Sequence, residues 1–179
     1  EEDLATLSWT RIAARRQPHV LIGGLGMGFT LRAALAAMPA DVRITVAEIV
    51  PEIVEWASGP LAHLFAGCLD DARVAIEVAD VGRVIAARKA GYDAILLDVD
   101  NGPEGLSRDG NDRLYSLAGL AKSHAALKPG GVLAVWSAHP DAKFTRRLGE
   151  SGFQVEEIGV RERHGRKGAR HTIWMATRR

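Results

Sequence analysis

Short apolar runs alternate along this chain with longer stretches in which apolar positions recur at helical spacing. Leu4 to Arg16 reads as a helix with Leu4, Leu7, Trp9, Ile12 and Ala13 on its apolar face, and Pro18 ends it. His19 to Gly23 is the first predicted strand. A glycine-rich turn leads from it into a helix reaching about Met38, where Pro39 stops the chain. Val42 to Ala47 forms the second strand, Pro51 opens the next helix, and Gly59-Pro60 separates that helix from a shorter one ending near Gly67. Arg73 to Val78 alternates as a third strand before a helix from Gly82 to Lys89. Asp93 to Leu97 is nearly continuous in apolar residues, as a parallel strand covered on both faces requires.

The second half repeats the alternation once and then changes it. Residues 99–111 hold Gly102, Pro103, Gly105 and Gly110 and read as a loop, and a helix from Leu114 to Leu127 follows, ended by Pro129-Gly130-Gly131. Val132 to Trp136 is a fifth strand and Ala142 to Glu150 a helix capped by Gly152. Phe153 to Val160 and Arg170 to Thr177 have no helix between them, so they pair as an antiparallel hairpin. The expected fold is α/β and Rossmann-like: a mostly parallel seven-stranded sheet with a C-terminal antiparallel hairpin and helices on both faces. Such sheets bind ligands beyond the C-terminal ends of their strands.

Composition adjusts this picture only slightly. With 179 residues, 47% hydrophobic, residues 1–179 are expected to form a single domain, 1–18 supplying an N-terminal helix. The formal charge of +1 gives no general case for a nucleic-acid or membrane partner. Arg161, Arg163, His164, Arg166, Lys167 and Arg170 form a local basic cluster, read as a solvated hairpin tip because no aromatic residues interleave with them. Cys68, the single cysteine, is read as a small residue near a helix end and suits a reducing, cytoplasmic address. Trp136 and Trp174 are expected in the core. The sequence starts at Glu1 without a methionine, so residues upstream are expected to have been trimmed or omitted.

The candidate chemistry lies at the strand ends. Gly24-Leu25-Gly26-Met27-Gly28 follows Val20-Leu21-Ile22 and precedes Thr30-Leu31-Arg32, a strand, glycine turn and helix that let a ligand approach backbone N–H groups. Glu48 ends the next strand, where a carboxylate accepts hydrogen bonds from ribose hydroxyls; it also suits a helix start before Pro51. Asp80 follows the third strand and suits both a helix cap and a ligand contact. Asp98 and Asp100 follow the fourth, at the mouth of the central crevice, placed to hold or deprotonate an amine, although a turn would use the same residues. The six histidines are scattered, so no metal site is expected. No Gly-x-Ser-x-Gly elbow or Gly-Lys-Ser/Thr loop suggests a hydrolase or a nucleoside-triphosphatase.

Four segments together resemble the spermidine synthase-like branch of the class I S-adenosylmethionine-dependent methyltransferase fold. They are Val20-Leu21-Ile22-Gly23-Gly24 through Thr30-Leu31-Arg32, Val46-Ala47-Glu48-Ile49-Val50-Pro51-Glu52, Tyr92-Asp93-Ala94-Ile95-Leu96-Leu97-Asp98, and Leu127-Lys128-Pro129-Gly130-Gly131-Val132-Leu133. The resemblance implies a nucleoside co-substrate, S-adenosylmethionine or its decarboxylated form, bound by Gly23, Gly24, Gly26, Gly28, Glu48, Ile49, Asp80 and Val81. It places Glu48 at the ribose, Asp80 at the adenine amino group and Asp98 beside the transferred group, with the family's second acid either shifted to Asp100 or replaced by Asn101. The family's usual Gly-Gly-Gly-Asp-Gly-Gly stands here as glycines and hydrophobic residues, and its Asp-Ser-Ser/Thr-Asp-Pro as Asp98-Val99-Asp100-Asn101-Gly102-Pro103. The implied function is alkylation of a small amine acceptor, with methylation of a small molecule and non-catalytic nucleoside binding as alternatives. Family likeness also implies a homodimer.

Overall fold

In the computed structural model, which describes residues 2–99, 103, 113–161 and 168–179, the chain runs α1 (Glu2–Ile12), β1 (His19–Gly23), α2 (Phe29–Ala37), β2 (Arg43–Glu48), α3 (Pro51–Ser58), α4 (Ala62–Phe65) and β3 (Val74–Val78). It continues through α5 (Val81–Ala86), β4 (Tyr92–Leu97), α6 (Leu117–Ala126), β5 (Leu127–Ser137), α7 (Ala142–Glu150), β6 (Phe153–Arg161) and β7 (Arg170–Arg178). The seven strands form one sheet in the order β3-β2-β1-β4-β5-β7-β6. Neighbours from β3 to β5 are parallel, and β7 is antiparallel to both β5 and β6. The expected sheet and terminal hairpin are both present.

Because successive strand residues point to opposite faces, the apolar runs feed two cores. Val20, Ile22, Ala94, Leu96, Val132 and Ala134 share one with Leu4, Ile12 and Leu31 of α1 and α2. Leu21, Ile95, Leu97, Leu133 and Val135 share the other with Ile85, Leu120, Phe144 and Leu148 of α5, α6 and α7. Trp174 is fully buried in this second core, its indole N–H donating to Thr145 Oγ1 at 2.8 Å. Trp136 is only half-buried and stacks near His171, so the core assignment holds for Trp174 better than for Trp136.

Two local expectations change. The first helix ends at Ile12, and its fully buried face is Leu4, Ala5, Ser8 and Ile12, with the larger Leu7 and Trp9 half-buried against the first core and Ala13 exposed. Ser8 is tolerated inside because its hydroxyl donates to Leu4 O at 2.7 Å. Lys128 to Gly131, expected to separate helix from strand, lies within β5: Tyr92 pairs with Leu127 and Ala94 with Val132, so the intervening residues bulge. Opposite this bulge Asp93 is 1% exposed, accepting from His19 N at 2.8 Å and Lys128 Nζ at 2.6 Å. Cys68 sits in the first core just past α4, as a small apolar residue. Asp100, Asn101 and Gly102 of the loop, and Arg163, His164, Arg166 and Lys167 of the basic cluster, lie outside the described residues.

His19 anchors the N-terminal ends of the strands, its Nε2 lying 2.9 Å from Thr45 Oγ1 and its ring tilted over Tyr92. Burial, followed by the charges of Arg43, Arg88 and Lys128, lowers its pKa to about 4, with Asp93 pulling the other way. An unfolded histidine titrates near 6.5. The unfolded chain therefore binds the extra proton first, and stability held above that pH is lost as pH falls from 6.5 towards 4. His19→Gln is expected to flatten the fall of Tm between pH 7 and pH 4 relative to the parent protein, and equal slopes would exclude this group as the cause.

Candidate functional site

The strand order reverses direction between β1 and β4, and the crevice at such a switch is where open sheets take ligands. Gly23 closes β1, and a Cβ there would stand 2.9 Å from both Leu97 Cδ2 and Val81 Cγ2. The bare backbone thus lets β1, β4 and α5 converge. Gly24 follows with φ +88°, a left-handed conformation costly for any side chain, and its Cβ would lie 2.9 Å from the Asp98 carbonyl oxygen. Asp98 N donates to Gly23 O at 3.2 Å, so the glycine turn and the acid are joined through the main chain.

Glu48 ties the second strand to the same turn. Its Oε2 accepts from Leu25 N at 2.8 Å and its Oε1 from Val50 N at 2.9 Å, with the residue 5% exposed. Oε1 thus serves the helix start expected of Glu48, and Oε2 holds the glycine turn, a contact the sequence reading did not include. Gly28 N donates to Leu25 O at 2.8 Å to close the turn, and α2 begins at the next residue. Among the described residues, apart from its own chain neighbours, nothing lies within 4 Å of where a Gly26 Cβ would sit, so these residues leave the crown of the turn open.

The remaining predicted residues are distributed around this centre. Asp80 caps α5, its Oδ1 accepting from Arg83 N at 2.9 Å. With Val81, Gly82, Leu114 and Arg113 it also borders a cavity of about 530 Å³. Val81 is buried against Gly23, whereas Ile49 is 52% exposed. Asp98 is half-buried at the head of the crevice, and burial raises its carboxyl above the usual range while a hydrogen bond from Thr30 opposes that rise. Thr30 was not among the residues expected in the site. Its hydroxyl donates to Asp98 Oδ2 at 2.7 Å, and the available signal was a hydroxyl residue in the first turn of the helix after the glycines. Among the described residues no group of three or more metal-ligating side chains gathers. No described helix is long and apolar enough to cross a membrane.

The fold that carries this glycine turn has counterparts among known proteins. The structure is similar to spermidine synthase solved with the transition-state analogue AdoDATO, with a TM-score of 0.77 at 22% identity over 99% of this chain and 58% of that one. It is also similar to the 1,6-didemethyltoxoflavin-N1-methyltransferase of Burkholderia thailandensis, with a TM-score of 0.67 at 18% identity over 98% of this chain and 76% of that one. The fold is therefore the Rossmann-like methyltransferase fold. In sequence, the polyamine aminopropyltransferase of Mycobacterium tuberculosis is 33% identical over 128 residues, covering 68% of this chain. The chain spans only 23% of that relative's length. The family model for the spermine/spermidine synthase domain matches residues 3–145, and the chain belongs to that family.

Proposed function

We propose that this chain carries the nucleoside-binding and transfer chemistry of a spermidine synthase-like transferase, using decarboxylated S-adenosylmethionine or S-adenosylmethionine to alkylate a small amine. The observation that supports this most directly is the buried Glu48 carboxylate held by the Leu25 amide beside Gly24 and Asp98, at the switch between β1 and β4. The residues suit such a co-substrate. The open crown at Gly26 admits a ligand against backbone amides, and Glu48 has lone pairs left for ribose hydroxyls. Asp80 keeps Oδ2 for an adenine amino group, since its cap uses Oδ1.

A sulfonium donor supplies an electrophilic carbon and departs as a neutral thioether. The chain's own task is to align the acceptor nitrogen with that carbon and to take the proton the nitrogen sheds. Asp98 is the residue assigned to that proton, and Asp100 is retained as the second acid on its place in the sequence. Ile49 and Val81 would flank the nucleoside beside Glu48 and Asp80.

Calorimetry with decarboxylated S-adenosylmethionine, S-adenosylmethionine and methylthioadenosine tests the reading. Saturable binding with preference for the decarboxylated donor supports aminopropyl transfer, and preference for S-adenosylmethionine supports methylation. Absence of binding by all three would overturn it.

A further inference from the structure

The acid at the head of the crevice is held from the glycine-turn helix by a residue 68 positions earlier. Thr30 is the second residue of α2, is 4% exposed, and donates to Asp98 Oδ2 at 2.7 Å. Among the described residues, Asp98 Oδ1 has no hydrogen-bond partner. On the other side, the Asp98 amide is fixed to Gly23 O, and its carbonyl lies against Gly24. The side chain therefore has one oxygen anchored and one without a partner among the described residues, on a backbone that is itself pinned.

We propose that Thr30 is a positioning residue for transfer: its hydroxyl fixes Asp98 through Oδ2 and so presents Oδ1 to the acceptor nitrogen. This rests on the reading of Asp98 as the acceptor's base. As the nitrogen–carbon bond forms, the carbon–sulfur pair leaves with the thioether and the nitrogen's proton passes to Oδ1. Thr30 keeps its own proton throughout, because it acts only as a donor to Oδ2. The bond also favours the charged form of Asp98, against burial, which favours the neutral one.

Thr30→Val removes the hydroxyl at nearly constant shape, and Thr30→Ser retains it. Carbon-13 NMR titration of the Asp98 carboxyl in the nucleoside-free protein is expected to move to higher pH in the Val variant and return in the Ser variant. With donor and acceptor present, the acidic limb of the kcat profile should move the same way. At neutral pH kcat should fall by roughly tenfold or more, the order expected when a hydrogen bond to a charged group is lost, with donor KM unchanged. Serine should restore both. If Thr30→Val does not fold, Thr30→Ala against Thr30→Ser gives the same contrast. An Asp98 titration indifferent to loss of the hydroxyl, or a kcat loss that serine does not recover, overturns this inference. Wild-type protein that neither binds nor transfers would overturn the functional reading instead, and the two failures stay distinct because the titration reads the Thr30–Asp98 contact without any ligand.

Discussion

Asp98→Asn is expected to reduce transfer by about 10²–10⁴-fold, the usual contribution of a positioned general base, while leaving nucleoside affinity within a factor of two or so. The amide preserves the side chain's shape and can still accept from Thr30, so the change removes the proton acceptor and little else. The same substitution is expected to raise Tm near neutral pH. Burial raises the Asp98 pKa in the folded state, so folding disfavours the charged form, and the penalty is present above the folded pKa and relieved as pH falls through it. The stability advantage of the Asn variant should therefore shrink as the buffer is acidified. Parallel measurements of turnover, nucleoside affinity and Tm check all three consequences. Full activity in the variant would remove Asp98 from the chemistry.

Glu48→Ala should act on stability and binding together. Two backbone donors, the buried Leu25 N and the half-buried Val50 N, would lose their acceptor, and a buried donor left unsatisfied costs about 1–3 kcal/mol. A stability loss of about 2–4 kcal/mol in denaturant unfolding is expected. Affinity for methylthioadenosine should fall by about 1.5–3 kcal/mol as the charge-assisted bonds to ribose disappear. Glu48→Gln keeps one acceptor oxygen and should recover part of the stability. A variant that loses stability but binds the nucleoside as tightly as the parent would confine Glu48 to holding the turn.

Much of the fold was readable in the sequence because buried parallel strands need unbroken apolar runs, and Val20-Leu21-Ile22 and Ala94-Ile95-Leu96-Leu97 supply them with little ambiguity. The glycine turn and Glu48 were readable for a related reason: few residue types allow the backbone of Gly24 to lie against Asp98, or place a carboxylate under the Leu25 amide. What was missed depended on contacts between distant segments. Lys128-Pro129-Gly130-Gly131 has every local mark of a turn, but Asp93 across the sheet draws Lys128 into a bulge of β5. Hydrophobicity favours Leu7 and Trp9 over Ala5 and Ser8 for the inner face of α1, yet the four-residue spacing from Leu4 to Ile12 puts Ser8 on that face and leaves Leu7 and Trp9 half-buried beside it. Thr30 escaped because its importance arises from a partner 68 residues away, which no local pattern displays. Asp100 falls outside the described residues, and its assignment rests on the sequence alone.

The position of β7 between β5 and β6 has a consequence for how the molecule is assembled. As the chain emerges from the ribosome, β6 is made before the strand that it pairs with among the described residues, so that edge stays open until Arg170–Arg178 arrives to fill the gap. Trp174 comes with it, so maturation of the core around Phe144 must wait until all six other strands have been synthesised.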